Sequence, residues 1–142
     1  MNIQLDSRNG HLRLPNGCTI HPALRPAEVA GLGASRPPTH RDMGTGWQWY
    51  NLQFHEAPYS IGVNLGFWQE QLRTYLLGWS TGLLPKSWDD WNKEAELRKA
   101  KEFEKWLSQQ LGPARTFGWG TAWAGYDPRS AGSSIAVRYA PA

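Results

Sequence analysis

Apolar and polar residues alternate with a period of two over much of this chain, and the alternation marks where strands should lie. In WQWYNLQFH, Tyr50, Leu52 and Phe54 fall on one face. In SIGVNLGFW, Ile61, Val63, Leu65 and Phe67 fall on one face, with Gly62, Asn64 and Gly66 on the other. QLRTYLLGW continues with Leu72, Thr74 and Leu76 against Arg73, Tyr75 and Leu77. Period two is the signature of a half-buried strand, so the stretch from Trp47 to Trp79 reads as strands in series. Breaks fall at Ala57-Pro58 and at a turn or bulge around Gln69-Glu70-Gln71. Shorter runs at the start, Ile3/Leu5 and Leu12/Leu14, flank Asn9-Gly10, a tight-turn pair that tolerates positive φ. A second pair, Asn16-Gly17, precedes Cys18 to Ile20, and the segment reads as a β-meander.

The period changes between Trp88 and Leu111, where Ala95, Ala100, Phe103, Trp106, Leu107 and Leu111 share one helical face. Ser87 is the expected N-cap, and Asp89 and Asp90 favour the positive end of the helix dipole. Gly112-Pro113 supplies the stop. Glu94/Arg98 and Arg98/Glu102 are i,i+4 pairs on the wet face. A shorter helix is expected between Leu24 and Leu32, with Pro26 in its first turn and Gly31 ending it. ASRPPTHRDMGTG reads as a flexible loop over 34–46.

TFGWGTAWAGYDPRSAGSSIAVRYA reads as a closing hairpin. Phe117, Trp119, Thr121 and Trp123 line one face, and Gly118, Gly120, Ala122 and Ala124 the other. Ile135, Val137 and Tyr139 alternate after the turn at Asp127 to Ser130. Either face could meet the helix. Burying a large ring contributes about 1.5–3 kcal/mol, which favours the aromatic face as core. The expected fold is therefore a single α+β domain over 1–142, mainly antiparallel sheet packed against one long amphipathic helix.

Composition adds three constraints. Nine Trp, five Tyr and four Phe supply a sizeable core within 142 residues. The net charge of +3 is spread over scattered arginines, and the dense run from Lys86 to Lys105 balances six bases with six acids. Nucleic-acid binders concentrate basic charge on one face, so this pattern argues against that class. The single cysteine, Cys18, can form no internal disulfide, which fits a reducing compartment. The opening residues carry no apolar signal core, and no window is apolar enough to span a membrane, so the expectation is a soluble cytoplasmic protein.

Catalytic signatures are missing. His11, His21, His40 and His55 lack metal-ligand spacing, and no phosphate loop or nucleophile elbow occurs. Cys18 reads as a small apolar residue rather than a nucleophile. Glu56, Glu70 and Asp127 are the non-helical carboxylates near aromatics, but nothing selects a glycosidase pair among them. The expectation is a protein that is not an enzyme and uses no metal or cofactor.

Two segments carry a likeness to a known group. NGHLRLPNGCTIHPAL at the start, and KEFEKWLSQQLG followed by FGWGTAWAGYDPRSAGSSIAVRY near the end, resemble small bacterial proteins that look like immunity partners of polymorphic or type VI-secreted toxins. The resemblance covers the beginning and the last third, and Gly33 to Ser60 lies outside it. It implies a protein that binds and blocks a cognate toxin or effector in the bacterial cytosol, without chemistry of its own. Interfaces favour Trp, Tyr and Arg anchors. The expected partner contacts are Arg36, His40, Arg41, Trp47, Tyr126, Asp127 and Arg129. The alternatives are a carbohydrate-binding module or small glycan-active enzyme using Trp119 and Trp123, and a structural subunit of a phage or secretion assembly.

Overall fold

A computed structural model describes residues 1–81 and 92–141. A small antiparallel sheet is formed by β1 (Gln4–Leu5), β2 (Leu12–Arg13) and β3 (Thr19–Ile20). A 3-10 helix, Pro26–Leu32, follows. The large sheet contains β4 (Thr39–Asp42), β5 (Trp47–Glu56), β6 (Tyr59–Trp68), β7 (Gln71–Ser80), β8 (Thr116–Phe117), β9 (Gly120–Asp127) and β10 (Gly132–Tyr139). Its order is β4-β5-β6-β7-β10-β9-β8, and every neighbouring pair is antiparallel. One helix, α1 (Lys93–Leu111), lies against β9 and β10. The α+β class, the antiparallel sheet and the long helix packed on it are as the sequence predicts.

Directly opposed residues of antiparallel strands share a face. Leu52, Val63, Leu77, Ile135 and Ala124 form one inward row. Tyr50, Leu65, Tyr75, Val137 and Ala122 form the next. Leu5, Leu12 and Ile20 of the small sheet, and Val29 and Leu32 of the 3-10 helix, join these rows in one apolar cluster. Phe103, Leu107 and Leu111, one helical turn apart, close it from α1.

Several local expectations are corrected. The 3-10 helix runs past Gly31 to a left-handed Gly33, because its buried residues Val29 and Leu32 repeat every three positions. The 34–46 segment contains an edge strand, β4, paired to Gln48–Asn51. All four β4 residues are exposed, so no alternation marks them. In β7 the expected phase fails at a bulge: Phe67 opposes Leu72 while Gly66 opposes Thr74. Arg73 is the extra residue, so Leu72, Tyr75, Leu77 and Trp79 all point inward. Gln69 and Glu70 make the preceding turn with both φ angles positive (48° and 68°).

The cap expected from Ser87, Asp89 and Asp90 lies outside the described residues. Helix α1 is capped by Asn92, whose Oδ1 accepts from the Ala95 N–H at 3.2 Å. Among the described residues the helix ion pair is Glu96–Lys99 at 3.6 Å, and neither Glu94/Arg98 nor Arg98/Glu102 closes. Two α1 acids hold the sheet: Glu102 accepts from Trp79 Nε1 at 2.9 Å, and Glu96 also accepts from the Ser133 N–H at 3.0 Å. No helix among the described residues is long and apolar enough to cross a membrane.

Two buried tyrosines behave differently. Tyr139 donates its hydroxyl to the Gly10 carbonyl at 2.7 Å, while the Tyr75 hydroxyl has no partner among the described residues. Burial pushes both phenol pKa values up, and Tyr139 adds to the rise at Tyr75. Tyr139→Phe is expected to cost about 1–2 kcal/mol, because it strands a buried carbonyl. Tyr75→Phe is expected to be neutral within about 0.5 kcal/mol or stabilising, because it removes an unpaired polar group. Urea denaturation of both variants checks this, and the reverse ranking would refute it.

Candidate functional site

The outward face of the large sheet carries the half-buried rings of Trp47, Trp49 and Trp68 and the exposed ring of Trp123. One outward row runs Asn51, Asn64, Leu76, Ala136 and Trp123 across five strands. The next runs Arg41, Trp49, Gly66, Thr74, Arg138 and Thr121 across six. Between them opens a groove of about 980 Å³, walled by Trp47 and Trp49 on one side and Trp123 on the other. Thr74, Leu76, Ala136 and Arg138 lie along its floor, and the loop Tyr126 to Ser130 forms its rim.

The closing hairpin explains why Trp123 stands here. β8 ends at Phe117, and the chain turns through Gly118 and Trp119 before β9 starts. Gly120, Ala122 and Ala124 face inward, and small side chains let α1 approach closely. Trp123 then faces outward and is 47% exposed. The expectation that the aromatic face is core is thereby reversed for Trp123. It holds for the two rings before it. Phe117 and Trp119 stack at 4.9 Å and pack against the core, and Trp119 Nε1 donates to the Ser7 carbonyl at 2.9 Å.

The outward indoles lie down rather than stand up. A Cβ on Gly66 would come within 2.8 Å of the Trp49 ring. One on Gly125 would come within 2.8 Å of Trp123, and one on Gly46 within 2.9 Å of Trp68. Each glycine leaves the bare strip of backbone on which a ring rests. Trp47 extends the platform, nearly parallel to Trp49 at 6.0 Å and tilted to Trp68 at 5.5 Å. Beside the groove, Asn51 donates to Asn64 Oδ1 at 2.6 Å and Gln53 donates to Asn51 Oδ1 at 2.9 Å. This amide chain floors a second, adjoining cavity of about 390 Å³.

Trp47, Tyr126, Asp127 and Arg129 all line the groove. Arg41 opposes Trp49 and shares the outward face. His40, one residue earlier, projects to the opposite side, where it stacks on Tyr50 at 4.6 Å and lies 3.0 Å from Gln48 Oε1. Arg36 is exposed in the preceding segment and does not line the groove. Trp49, Trp123 and Arg138 were absent from the expected contact set. Their signal was present in the alternation, once the inward phase of β5, β9 and β10 is fixed.

The carboxylates do not converge. Glu56 and Glu70 flank opposite ends of β6, and Asp127 alone lines the groove. Asp127 Oδ1 accepts from the Arg129 N–H at 2.9 Å, which shapes the loop. On the small sheet, the exposed Asp6 carboxyl is held below its usual range by its hydrogen bonds from Arg8. Among the described residues no three His, Cys, Asp or Glu side chains cluster as metal ligands do. What the outward face offers is flat apolar rings, arginines and hydroxyls on a rigid sheet, an arrangement suited to binding. No family model, curated protein or solved structure matches the chain, so this geometry carries the functional reading.

Proposed function

We propose that the protein is a non-enzymatic binding protein of the bacterial cytoplasm, an immunity protein that neutralises a cognate toxin by covering its active site with the outward sheet face. The observation that carries this reading is Trp123: a large ring, 47% exposed, held flat on a strand beside Trp47, Trp49 and Arg138. Trp and Arg are enriched among the residues that dominate protein interfaces, and a ring already held flat loses little conformational entropy when it docks. The test is co-expression with the product of the adjacent gene, following growth, co-purification and affinity. Trp123→Ala is expected to weaken the complex about 30-fold or more, the cost of losing a hot-spot ring of ~2 kcal/mol. Its melting temperature should stay within about 2 °C of wild type, since the ring lies outside the core. A neighbour that is harmless to cells and elutes separately would remove the proposal, as would a complex indifferent to Trp123.

Carbohydrate binding is the second reading, favoured by the flat indoles of Trp49 and Trp123, whose open faces suit stacking against sugar rings. Tryptophan emission titrated with a panel of oligosaccharides decides it, and a flat response across the panel excludes it.

A further inference from the structure

Resting on the reading of the outward face as the partner surface, we propose that the segment it receives is an acidic stretch of protein. Its carboxylates would be taken by Arg138 and Arg41, both in the Trp49 row. These arginines are exposed, and neither makes an ion pair or side-chain hydrogen bond among the described residues. Among the described residues four acids pair elsewhere: Glu56 with the N-terminal amine, Glu96 with Lys99, Glu104 with Arg115 and Asp6 with Arg8. Asp42, next to Arg41 in the chain, accepts from the Gly44 N–H at 2.9 Å. Asp127, the carboxylate that lines the groove, is held by its own loop, with Arg129 Nε at 3.6 Å and the Arg129 N–H at 2.9 Å. Two guanidinium groups on this face are therefore left without a direct carboxylate partner among the described residues.

Position sharpens the argument. Arg138 sits on β10 between Thr74 and Thr121, on the groove floor, with indoles to either side. A docked chain would shed water from that guanidinium, and a carboxylate between low-dielectric walls binds Arg more strongly than one in open solvent. Arg41 lies four strands away, about 19 Å at the usual strand spacing. An extended segment covers that span in about six residues. The matching partner is thus an extended acidic segment crossing the strands, with aliphatic or aromatic residues between its carboxylates to lie on the rings.

The test uses the intact protein and poly-L-glutamate, with poly-L-lysine of equal length as the opposite charge. Quenching of tryptophan emission by iodide and by caesium, each normalised to free N-acetyltryptophanamide, reads the charge around the exposed rings. Iodide is expected to quench disproportionately. Arg138→Gln and Arg41→Gln should each reduce that preference, and the double variant should abolish it. Poly-L-glutamate should bind, with affinity falling at least fivefold in Arg138→Gln and further with added salt. Both arginines are exposed, so circular dichroism should show the variants folded. Equal or stronger quenching by caesium would overturn the inference, as would polyglutamate binding unchanged in both variants. A cognate partner that binds the double variant as tightly as wild type would also overturn it, while leaving the proposed function standing. Failure of any partner to bind removes the proposed function instead, and the quenching and polyglutamate results decide the charge of the face independently.

Discussion

Gly120→Ala is expected to cost about 3 kcal/mol or more and to lower the melting temperature by about 10 °C. Gly120 opens β9 with φ at 150°, a conformation essentially confined to glycine. It is pinned from both sides, opposite Phe117 on β8 and Tyr139 on β10. An added Cβ would run into the Arg138 carbonyl oxygen. That obstacle is backbone within a paired strand, so no side-chain rotation relieves it. Gly118, two residues earlier, has nothing within 4 Å of its Cβ position and no positive φ. Gly118→Ala should therefore stay within about 0.5 kcal/mol of wild type and serves as the control. Thermal melts of the two variants check the contrast. Equal stability would mean that the β8–β9 corner is not built as described.

Phe103→Ala is expected to destabilise by about 3–5 kcal/mol, a large share of the ~5–15 kcal/mol that holds a domain together. Phe103 is 1% exposed, the first of the three buried α1 positions. Its ring meets Trp79 edge-on at 4.6 Å and lies against Gly78, where a strand without a side chain admits it. Removing the ring leaves a cavity walled by Trp79 and the helix. The wall cannot collapse easily, because Glu102 on the same helix holds Trp79 Nε1 at 2.9 Å. Urea denaturation should show a lower midpoint with an unchanged slope. Phe103→Leu, which refills most of the space, should recover the larger part of the loss. A loss below about 1 kcal/mol for the alanine variant would refute the packing of α1 on the sheet.

Much of the fold was legible because burial on one side of a sheet enforces alternation. Leu52 and Phe54, then Ile61, Val63, Leu65 and Phe67, and Ile135, Val137 and Tyr139 face inward as their spacing predicts. The α1 face, too, follows from Phe103, Leu107 and Leu111. The misses share a cause: alternation defines two faces but does not say which one is covered. In β9 the decision belongs to α1, which comes from a different part of the chain and takes the small side. The β7 bulge escapes because a single inserted residue, Arg73, looks locally like any other strand position. The four exposed residues of β4 carry no amphipathic signal at all, since an edge strand can be held by backbone hydrogen bonds alone. Of the expected contacts, Trp47, Tyr126, Asp127 and Arg129 line one groove although they come from opposite ends of the strands, a proximity that spacing along the chain does not reveal. His40 and Arg41 differ by a single step along β4, which is enough to put them on opposite faces.

The rings resting on glycines tie the shape of the outward face to residues that have no side chains. Trp49 lies over Gly66 on the neighbouring strand, and Trp123 over Gly125 two residues along its own. The glycine of such a pair cannot gain a side chain while the ring keeps its place. A methyl at the glycine evicts the ring, and loss of the ring leaves bare backbone that favours no sequence. A change at either glycine therefore also moves a ring, and a search for altered partner choice would do best to vary each indole together with its glycine.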